Sequence, residues 1–196
     1  MSANRLNDVL RAAERRFVKH GPAKTTLDEI ARDLRLSKSA IYHYFSSKEE
    51  LYSAVLKKQA ADYIRAVVEI FNNEERKFQE RFRSYFTLKT ELKSGFKLLY
   101  GLLLADVSER SLSEEKEILK KLFIEEETVI KLVFTAYFKD SLNAPKEDSA
   151  MLFVSQTSML PFIDELFAGT LELSDASVRN KLFDQYEQML NSLVNY

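Results

Sequence analysis

Thr25–Leu51, TTLDEIARDLRLSKSAIYHYFSSKEEL, predicts two short helices separated by a tight break and followed by the start of a third. Thr26 and Glu29 have the spacing of a capping box. In this motif the hydroxyl accepts a bond from the Glu29 amide, and the carboxylate accepts one from the Thr26 amide. The apolar residues that follow recur at helical spacing on one face. The first short helix is therefore predicted to begin at Leu27.

Two serines mark the starts of the next two helices. Ser37 is a candidate N-cap for a helix over about residues 38–45. Ser47 and Glu50 repeat the capping-box spacing, and they predict that a third helix begins at Lys48.

The middle helix carries hydrogen-bonding and stacking groups on the face that it turns outward. At about 100° per residue, Ile41 and Phe45 point inward together, whereas Ser39, Tyr42 and His43 face away. A helix, a short turn and a second helix with such a face form a helix-turn-helix, whose second helix enters the DNA major groove. The alternative is that the tyrosines of this helix pack on neighbouring helices.

The run LSKSAIYHYFSSKEEL, preceded by TTLDEIARDL, resembles the DNA-binding domain of the tetracycline-repressor (TetR) family of one-component bacterial regulators. The threonine pair, the IA of the first helix, SKS, YxYF and SKEEL all stand in the family's order. The resemblance implies an all-α, dimeric protein. It further implies a helix-turn-helix DNA-binding domain over residues 1–50 and a helical effector-binding and dimerisation domain over residues 51–196.

Composition favours the same fold class. The 196-residue chain has only four glycines and three prolines, which leave little turn chemistry for a sheet protein. Because it has no cysteine, disulfides and thiolate chemistry are excluded, and a cytoplasmic location is expected. No apolar run is long enough to span a membrane. Residues 1–50 carry ten Lys or Arg against seven Asp or Glu, in agreement with a phosphate-binding end.

Side-chain chemistry and the resemblance together assign candidate contacts to double-stranded DNA. Lys48, in the first turn of its helix, is expected to hold a phosphate together with free backbone amides. Roles as a cap for Thr26 and as a surface charge for Lys48 are compatible with these contacts. Lys38 has donors for guanine, and Ala40 offers apolar contact only. The candidates are Thr25, Thr26 and Lys48 for phosphates, Tyr42 and Tyr44 for phosphates or thymine methyls, and Lys38, Ser39, Ala40 and His43 for base edges.

The C-terminal region is rich in phenylalanine, and the resemblance implies that it encloses a pocket for a small-molecule effector. The alternative for each aromatic residue is a place in the core. Because no arginine or histidine is predicted inside an apolar stripe, a lipophilic effector is expected. The residues predicted to line the pocket are Phe82, Phe86, Tyr100, Phe134, Tyr137 and Phe162.

The last two helices, over about residues 146–168 and 174–195, are where the resemblance places the dimer interface. Paired across a two-fold axis, their apolar stripes would form a self-complementary four-helix interface. The alternative is that both stripes are core. The stripes are Leu152, Phe153, Gln156, Leu160, Ile163 and Phe167 on one helix, and Val178, Leu182, Tyr186, Met189 and Leu193 on the other.

Enzyme motifs are absent from the sequence. It has no glycine-rich phosphate loop, no Gly-x-Ser-x-Gly elbow and no His-Glu-x-x-His, and Glu125–Glu127 is expected to be a solvated helix face. Only two histidines are present, so no metal site and no cofactor are expected. We therefore expect a repressor that binds a palindromic operator as a homodimer and is released by an effector. The alternative is a DNA-bound family member that acts through a protein partner.

Overall fold

The computed structural model describes residues 3–107, 113–137, 149–158, 160 and 176–194. In these ranges every regular element is helical, which confirms the all-α prediction. None of the described helices is both long enough and apolar enough to cross a membrane. The helices are α1 (Ala3–His20), α2 (Leu27–Asp33), α3 (Lys38–Tyr42), α4 (Lys48–Asn72), α5 (Phe78–Thr90), α6 (Leu92–Gly95), α7 (Lys97–Val107), α8 (Ser113–Tyr137), α9 (Ser149–Thr157) and α10 (Ala176–Val194).

The chain forms two compact units. The first unit comprises Met1–Asp62 and Phe96–Ile118, and the second unit comprises Tyr63–Gly95 and Leu119–Tyr196. Helices α4 and α8 each contribute residues to both units. This division differs from the predicted boundary after residue 50, because the first part of α4 and all of α7 join α1 in one compact unit. The functional division into residues 1–50 and 51–196 stays a prediction.

The core of the first unit forms under α1, α2 and α3. Val9, Ala13 and Phe17 recur at helical spacing on α1, and at most 1% of each residue is exposed. Ile30 of α2 and Ile41 of α3 are fully buried. Burial of such side chains is worth about 1.5–3 kcal/mol each, so these contacts fix the two short helices that could not persist alone.

The turn between α2 and α3 contains a residue in the left-handed region. Arg35 has a φ of +53°, and its amide donates to the Arg32 carbonyl at 3.1 Å. The Leu36 amide donates to the Ala31 carbonyl at 2.9 Å. These two bonds are the Schellman pattern that ends a helix, and glycine is the usual residue at the left-handed position. The pattern turns the chain sharply and sets the direction of α3.

A buried glutamine joins three helices of the first unit. Gln59 of α4 is 3% exposed, and its Nε2 donates to Glu14 Oε1 of α1 at 2.6 Å. Its Oε1 accepts a bond from the Leu99 amide at 2.9 Å. Leu99 lies in the first turn of α7, where backbone amides have no partner within the helix. Gln59 therefore satisfies one buried donor and ties α7 and α1 to α4.

Aromatic rings fill the core of the second unit. The Phe153 ring lies 5.4 Å from Phe82, 5.9 Å from Phe86 and 5.6 Å from Phe134, measured between ring centroids. Edge-to-face and tilted pairs at these distances are the favoured aromatic geometries. The predicted pocket residues Phe82, Phe86 and Phe134 are thus buried against other rings, as the core alternative expects.

The residues of the stripe predicted for the dimer interface near α9 differ in burial. Phe153 and Leu160 are fully buried in the second unit, whereas Leu152 is 50% exposed and Gln156 is exposed. The two buried residues fit the alternative that the stripe is core. Ile163 and Phe167 lie outside the described residues. The homodimer itself stays a prediction.

Candidate DNA-binding and ligand-binding sites

The predicted capping box closes the N-terminus of α2. The Glu29 amide donates to Thr26 Oγ1 at 3.3 Å, and the Thr26 amide donates to the Glu29 carboxylate at 2.9 Å. The bonds from the Thr26 amide and hydroxyl lower the pKa of Glu29. Arg16 of α1 pairs with Glu29 at 3.3 Å and with Asp33 at 2.6 Å. Arg16 therefore ties α1 to both ends of α2.

Thr25 lies in the interior, not on the surface that a phosphate contact requires. It is 1% exposed, and its hydroxyl donates to the Gly21 carbonyl at 2.9 Å. Gly21 follows α1 with a φ of +79°, a conformation that favours glycine. Thr25 thus closes the loop between α1 and α2, and Thr26 is the member of the threonine pair with an exposed side chain.

Helix α3 is capped at its N-terminus and anchored by inward side chains, as predicted. Ser37 Oγ accepts a bond from the Ala40 amide at 3.2 Å, which satisfies one free donor at the helix start. Ile41 is fully buried and Phe45 is 6% exposed. The α-helix ends at Tyr42, earlier than predicted, and the chain continues as a turn. The orientation of α3 is fixed by the Ser37 cap and by the buried Ile41 and Phe45 side chains.

The outward face of α3 carries the predicted polar groups. Ser39, Tyr42 and His43 are exposed, and Ala40 and Tyr44 are half-buried. Because 45% of Tyr42 is exposed, the alternative that it packs on a neighbouring helix is not supported. The His43 and Tyr44 rings meet edge to face at 5.9 Å. These side chains offer hydroxyl, imidazole and ring surfaces to an outside partner.

Lys38 is engaged at the junction of α2 and α3. Its Nζ lies 3.0 Å from Asp28 Oδ2 and 5.6 Å from the centre of the Tyr42 ring. The hydrogen bond that Lys38 donates to Asp28 raises the pKa of Lys38. Both partners are substantially exposed, and exposed ion pairs contribute little free energy. The ammonium is therefore readily available to a base or phosphate, at the expense of the Asp28 contact.

The N-terminus of α4 shows half of its predicted capping box. The Glu50 amide donates to Ser47 Oγ at 3.0 Å, as expected. The Glu50 carboxylate instead accepts bonds from the Ser46 amide and hydroxyl, both at 2.7 Å. Ser46 supplies two donors to the carboxylate, whereas the predicted partner supplies only an amide. Ser47 therefore caps the helix that begins at Lys48, as predicted, whereas the donor to the Glu50 carboxylate is Ser46 and not Ser47.

Lys48 links the start of α4 to the loop that precedes α2. Its Nζ lies 3.5 Å from the Ala23 carbonyl, and its side chain is half-buried. This contact brings the first turn of α4 close to the segment that ends at Thr26. Both helix starts have free amides that suit a phosphate.

The residues predicted to line an effector pocket do not form one group. Phe82, Phe86 and Phe134 belong to the aromatic core of the second unit. Tyr137, at the end of α8, is 46% exposed, and its ring is stacked on Phe78 with centroids 3.3 Å apart. The remaining two are not placed with these four: Tyr100 is buried in the first unit, and Phe162 lies outside the described residues.

A cleft in the second unit includes Tyr137. It has a volume of about 490 Å³ and lies between the end of α4, the start of α5 and the last turns of α8. Phe78 and Arg81 of α5 line it together with Tyr137. Arg81 brings a basic group into this cleft, one position before buried Phe82. It lies beside the predicted apolar stripe and was not among the predicted site residues.

The prediction of a solvated face for Glu125–Glu127 is wrong for its central residue. Glu126 is 1% exposed, and its carboxylate accepts bonds from the Tyr63 hydroxyl, from the Tyr85 hydroxyl at 2.9 Å and from Lys89 Nζ at 2.8 Å. Burial, reinforced by the Glu126 charge, raises the pKa of both tyrosines.

In the described ranges no group of three or more His, Asp or Glu side chains is arranged to hold a metal ion.

Comparison with known proteins shows a family similarity for the N-terminal helices. Residues 9–55 match the family described as bacterial regulatory proteins, tetR family. A transcriptional repressor of the helix-turn-helix type from Streptomyces coelicolor is 39% identical over 54 residues, 28% of this chain and 28% of that protein. The regulator TtgR of Pseudomonas putida is 46% identical over 48 residues, 24% of this chain and 23% of that protein. The chain thus spans less than a third of the length of these curated relatives.

Structural similarity extends over the whole chain. A transcriptional regulator from Cytophaga hutchinsonii has a TM-score of 0.69 and covers 97% of both chains at 22% identity. At this identity the likeness shows a shared fold, with an N-terminal helix-turn-helix and a helical remainder. The matched family and these relatives are regulators, which supports the prediction that the chain is not an enzyme.

Proposed function

We propose, because residues 9–55 match the tetR family of bacterial regulatory proteins, that the chain is a transcriptional repressor. It binds a palindromic operator as a homodimer, with α3 of each subunit in the major groove. A small molecule bound in the second unit releases it from DNA. The observation that carries this proposal is the rigid presentation of an exposed Ser39, Tyr42 and His43 face on a helix anchored by Ile41 and Phe45.

Base reading requires that α3 keep a fixed angle in the groove. The Ser37 cap and the Schellman turn before it hold the start of α3. The buried Ile41 holds its inward face. A bidentate or apolar base contact contributes about 1–3 kcal/mol of discrimination, and only when the side chain is already positioned. Ser39, Ala40, Tyr42 and His43 are the residues we assign to this reading.

Phosphate contacts on either side of α3 set its register on the duplex. Thr26 offers an exposed hydroxyl at the start of α2, and Lys48 lies at the start of α4. The Lys48 contact with Ala23 joins these two helix starts. A clamp of this kind positions the recognition helix without reading sequence. Lys38 and Tyr44 complete the proposed contact surface, whereas Thr25 supports the loop from inside.

The connection from ligand to DNA runs along helices that belong to both units. Helix α8 lines the cleft with its last turns, and Glu114 in its first turn accepts a hydrogen bond from Ser53 of α4 at 2.6 Å. In the first unit, Gln59 joins α4 to α1 and α7. We propose that a shift of α8 on ligand binding moves α4 and thereby changes the spacing of the two recognition helices in the dimer.

Selection of genomic fragments by the purified protein at near-physiological salt tests the proposal. Non-specific phosphate binding weakens steeply under this condition, so only specific sites are retained. We expect enrichment of an inverted repeat. Lys48→Ala should retain few fragments, whereas Lys120→Ala, which removes an equal charge from an exposed position on α8, should retain the wild-type set. Enrichment of no common sequence by a folded dimer would contradict the proposal.

A further inference from the structure

We propose that the cleft of the second unit binds a small molecule with one carboxylate and an apolar body, and that Arg81 anchors the carboxylate. The identification of this molecule as the effector rests on the proposed function, but its binding does not. The cleft volume of about 490 Å³ falls in the range of small-molecule sites, which is roughly 300–1,000 Å³.

Arg81 is oriented and incompletely satisfied. One terminal nitrogen donates to the Phe71 carbonyl at 2.7 Å, and the guanidinium carbon lies 5.8 Å from the centre of the Phe78 ring. Arg81 lines the cleft, and its second terminal nitrogen makes no hydrogen bond to a described residue. A carboxylate is the acceptor that matches the planar donors of arginine. We assign this second terminal nitrogen to the carboxylate of the ligand.

Most of the other residues that line the cleft are apolar. The Phe78 and Tyr137 rings are stacked on each other, with an angle of 5° between their planes. Leu132 is 66% exposed and Tyr137 is 46% exposed, although both line the same cleft. Such exposed apolar side chains around a concave surface mark a binding site for an apolar group.

The charges in the cleft limit the ligand to a single negative charge. Glu74 lines the cleft beside Arg81 and is exposed. A phosphate monoester or a dicarboxylate would bring a second negative charge toward Glu74, with only one guanidinium to compensate it. A monocarboxylate places its one charge on Arg81 and its apolar part on the rings and on α8. This proposal adds one negative charge to the lipophilic effector expected from the sequence.

Calorimetric titration of the full chain with 4-phenylbutyrate and decanoate tests the inference, with their uncharged amides as matched ligands. We expect saturable binding of at least one acid and about tenfold or greater weakening for its amide, because a charged hydrogen bond is lost. Arg81→Gln should weaken binding of the acid by a similar factor. Arg83→Gln, which removes the same charge two positions along α5, should bind it as the wild type does.

A second variant keeps the test independent of Arg81's contact with Phe71. Ala136 is exposed and lines the cleft, so Ala136→Phe should fold and block acid binding by filling the space. Equal affinity for acid and amide, unaltered binding by Arg81→Gln or Ala136→Phe, or no saturable binding of either acid would overturn the inference. Tighter binding of homophenylalanine than of 4-phenylbutyrate would also overturn it, because Glu74 would then recognise an ammonium. None of these titrations contains DNA, so their failure leaves the regulator proposal intact.

Discussion

Gln59 of α4 and Glu14 of α1 are joined by a partly buried side-chain hydrogen bond of 2.6 Å. The same glutamine accepts a buried hydrogen bond from the Leu99 amide at the start of α7. One side chain therefore joins α4 both to the helix that underlies the helix-turn-helix and to a helix from the middle of the chain.

Replacement of Gln59 by leucine should lower the free energy of unfolding by about 1–3 kcal/mol, because the buried Leu99 amide and the Glu14 carboxylate lose their partner. Urea denaturation measures this change. Gln185→Leu, at an exposed position on α10, serves as the control and should change stability by less than about 0.5 kcal/mol. Equal stabilities of the two variants would show that the Gln59 bridge contributes nothing.

Glu126→Gln should destabilise the second unit by about 3–5 kcal/mol, because it leaves the Lys89 ammonium buried without its counter-charge. The double variant with Lys89→Met should recover part of this loss, since both charges are then removed. Thermal and urea unfolding of the two single variants and the double variant form a double-mutant cycle. Additive effects would mean that the two charges do not interact in the folded protein.

Alkaline titration should distinguish the buried tyrosines from the exposed ones. Burial raises the pKa of Tyr63 and Tyr85, so their neutral forms contribute stability below the unfolded value of about 10. This contribution is lost as the pH rises above that value toward their folded pKa. Phenolate absorbance should show that Tyr63 and Tyr85 ionise only in a late phase, together with unfolding. Tyr63→Phe should remove one group from this late phase, and an unchanged late phase would contradict the assignment.

Arg35→Gly should raise the free energy of unfolding by up to about 1 kcal/mol, because glycine adopts the left-handed conformation of the α2–α3 turn without strain. Arg32→Gly removes the same side chain from a right-handed position in α2. It should lower stability by about 1 kcal/mol, because glycine disfavours helix interiors. A loss of stability in both variants would indicate that the Arg35 side chain stabilises the turn more than its backbone strain costs.

The sequence predicted those features that depend on local spacing. Thr26 and Ser37 cap their helices, and Ile41 and Phe45 lie inward, because each interaction spans at most four residues. The burial of Glu126 depends instead on Tyr63 and Lys89, which lie on other helices and dozens of positions away. A run of three glutamates gives no sign of which member has such partners.

A further group of wrong predictions concerns neighbouring residues with similar side chains. Thr25 and Thr26 have equal chemistry, but the loop geometry after Gly21 turns one hydroxyl inward and leaves the other exposed. Similarly, Ser46 rather than Ser47 donates hydrogen bonds to the Glu50 carboxylate. The place of Arg81 in the cleft follows from the arrangement of α4, α5 and α8. Such differences are set by tertiary packing and not by the local pattern.

Competition between the selected inverted repeat and a scrambled duplex of equal length and composition tests the assignment of α3 as the sequence reader. At near-physiological salt we expect the wild type to prefer the repeat by about 10³-fold or more. Tyr42→Ala should reduce this preference and leave the fold unchanged, because Tyr42 is exposed and makes no core contact. Equal affinity of the wild-type dimer for the two duplexes, or an undiminished preference in Tyr42→Ala, would contradict the assignment.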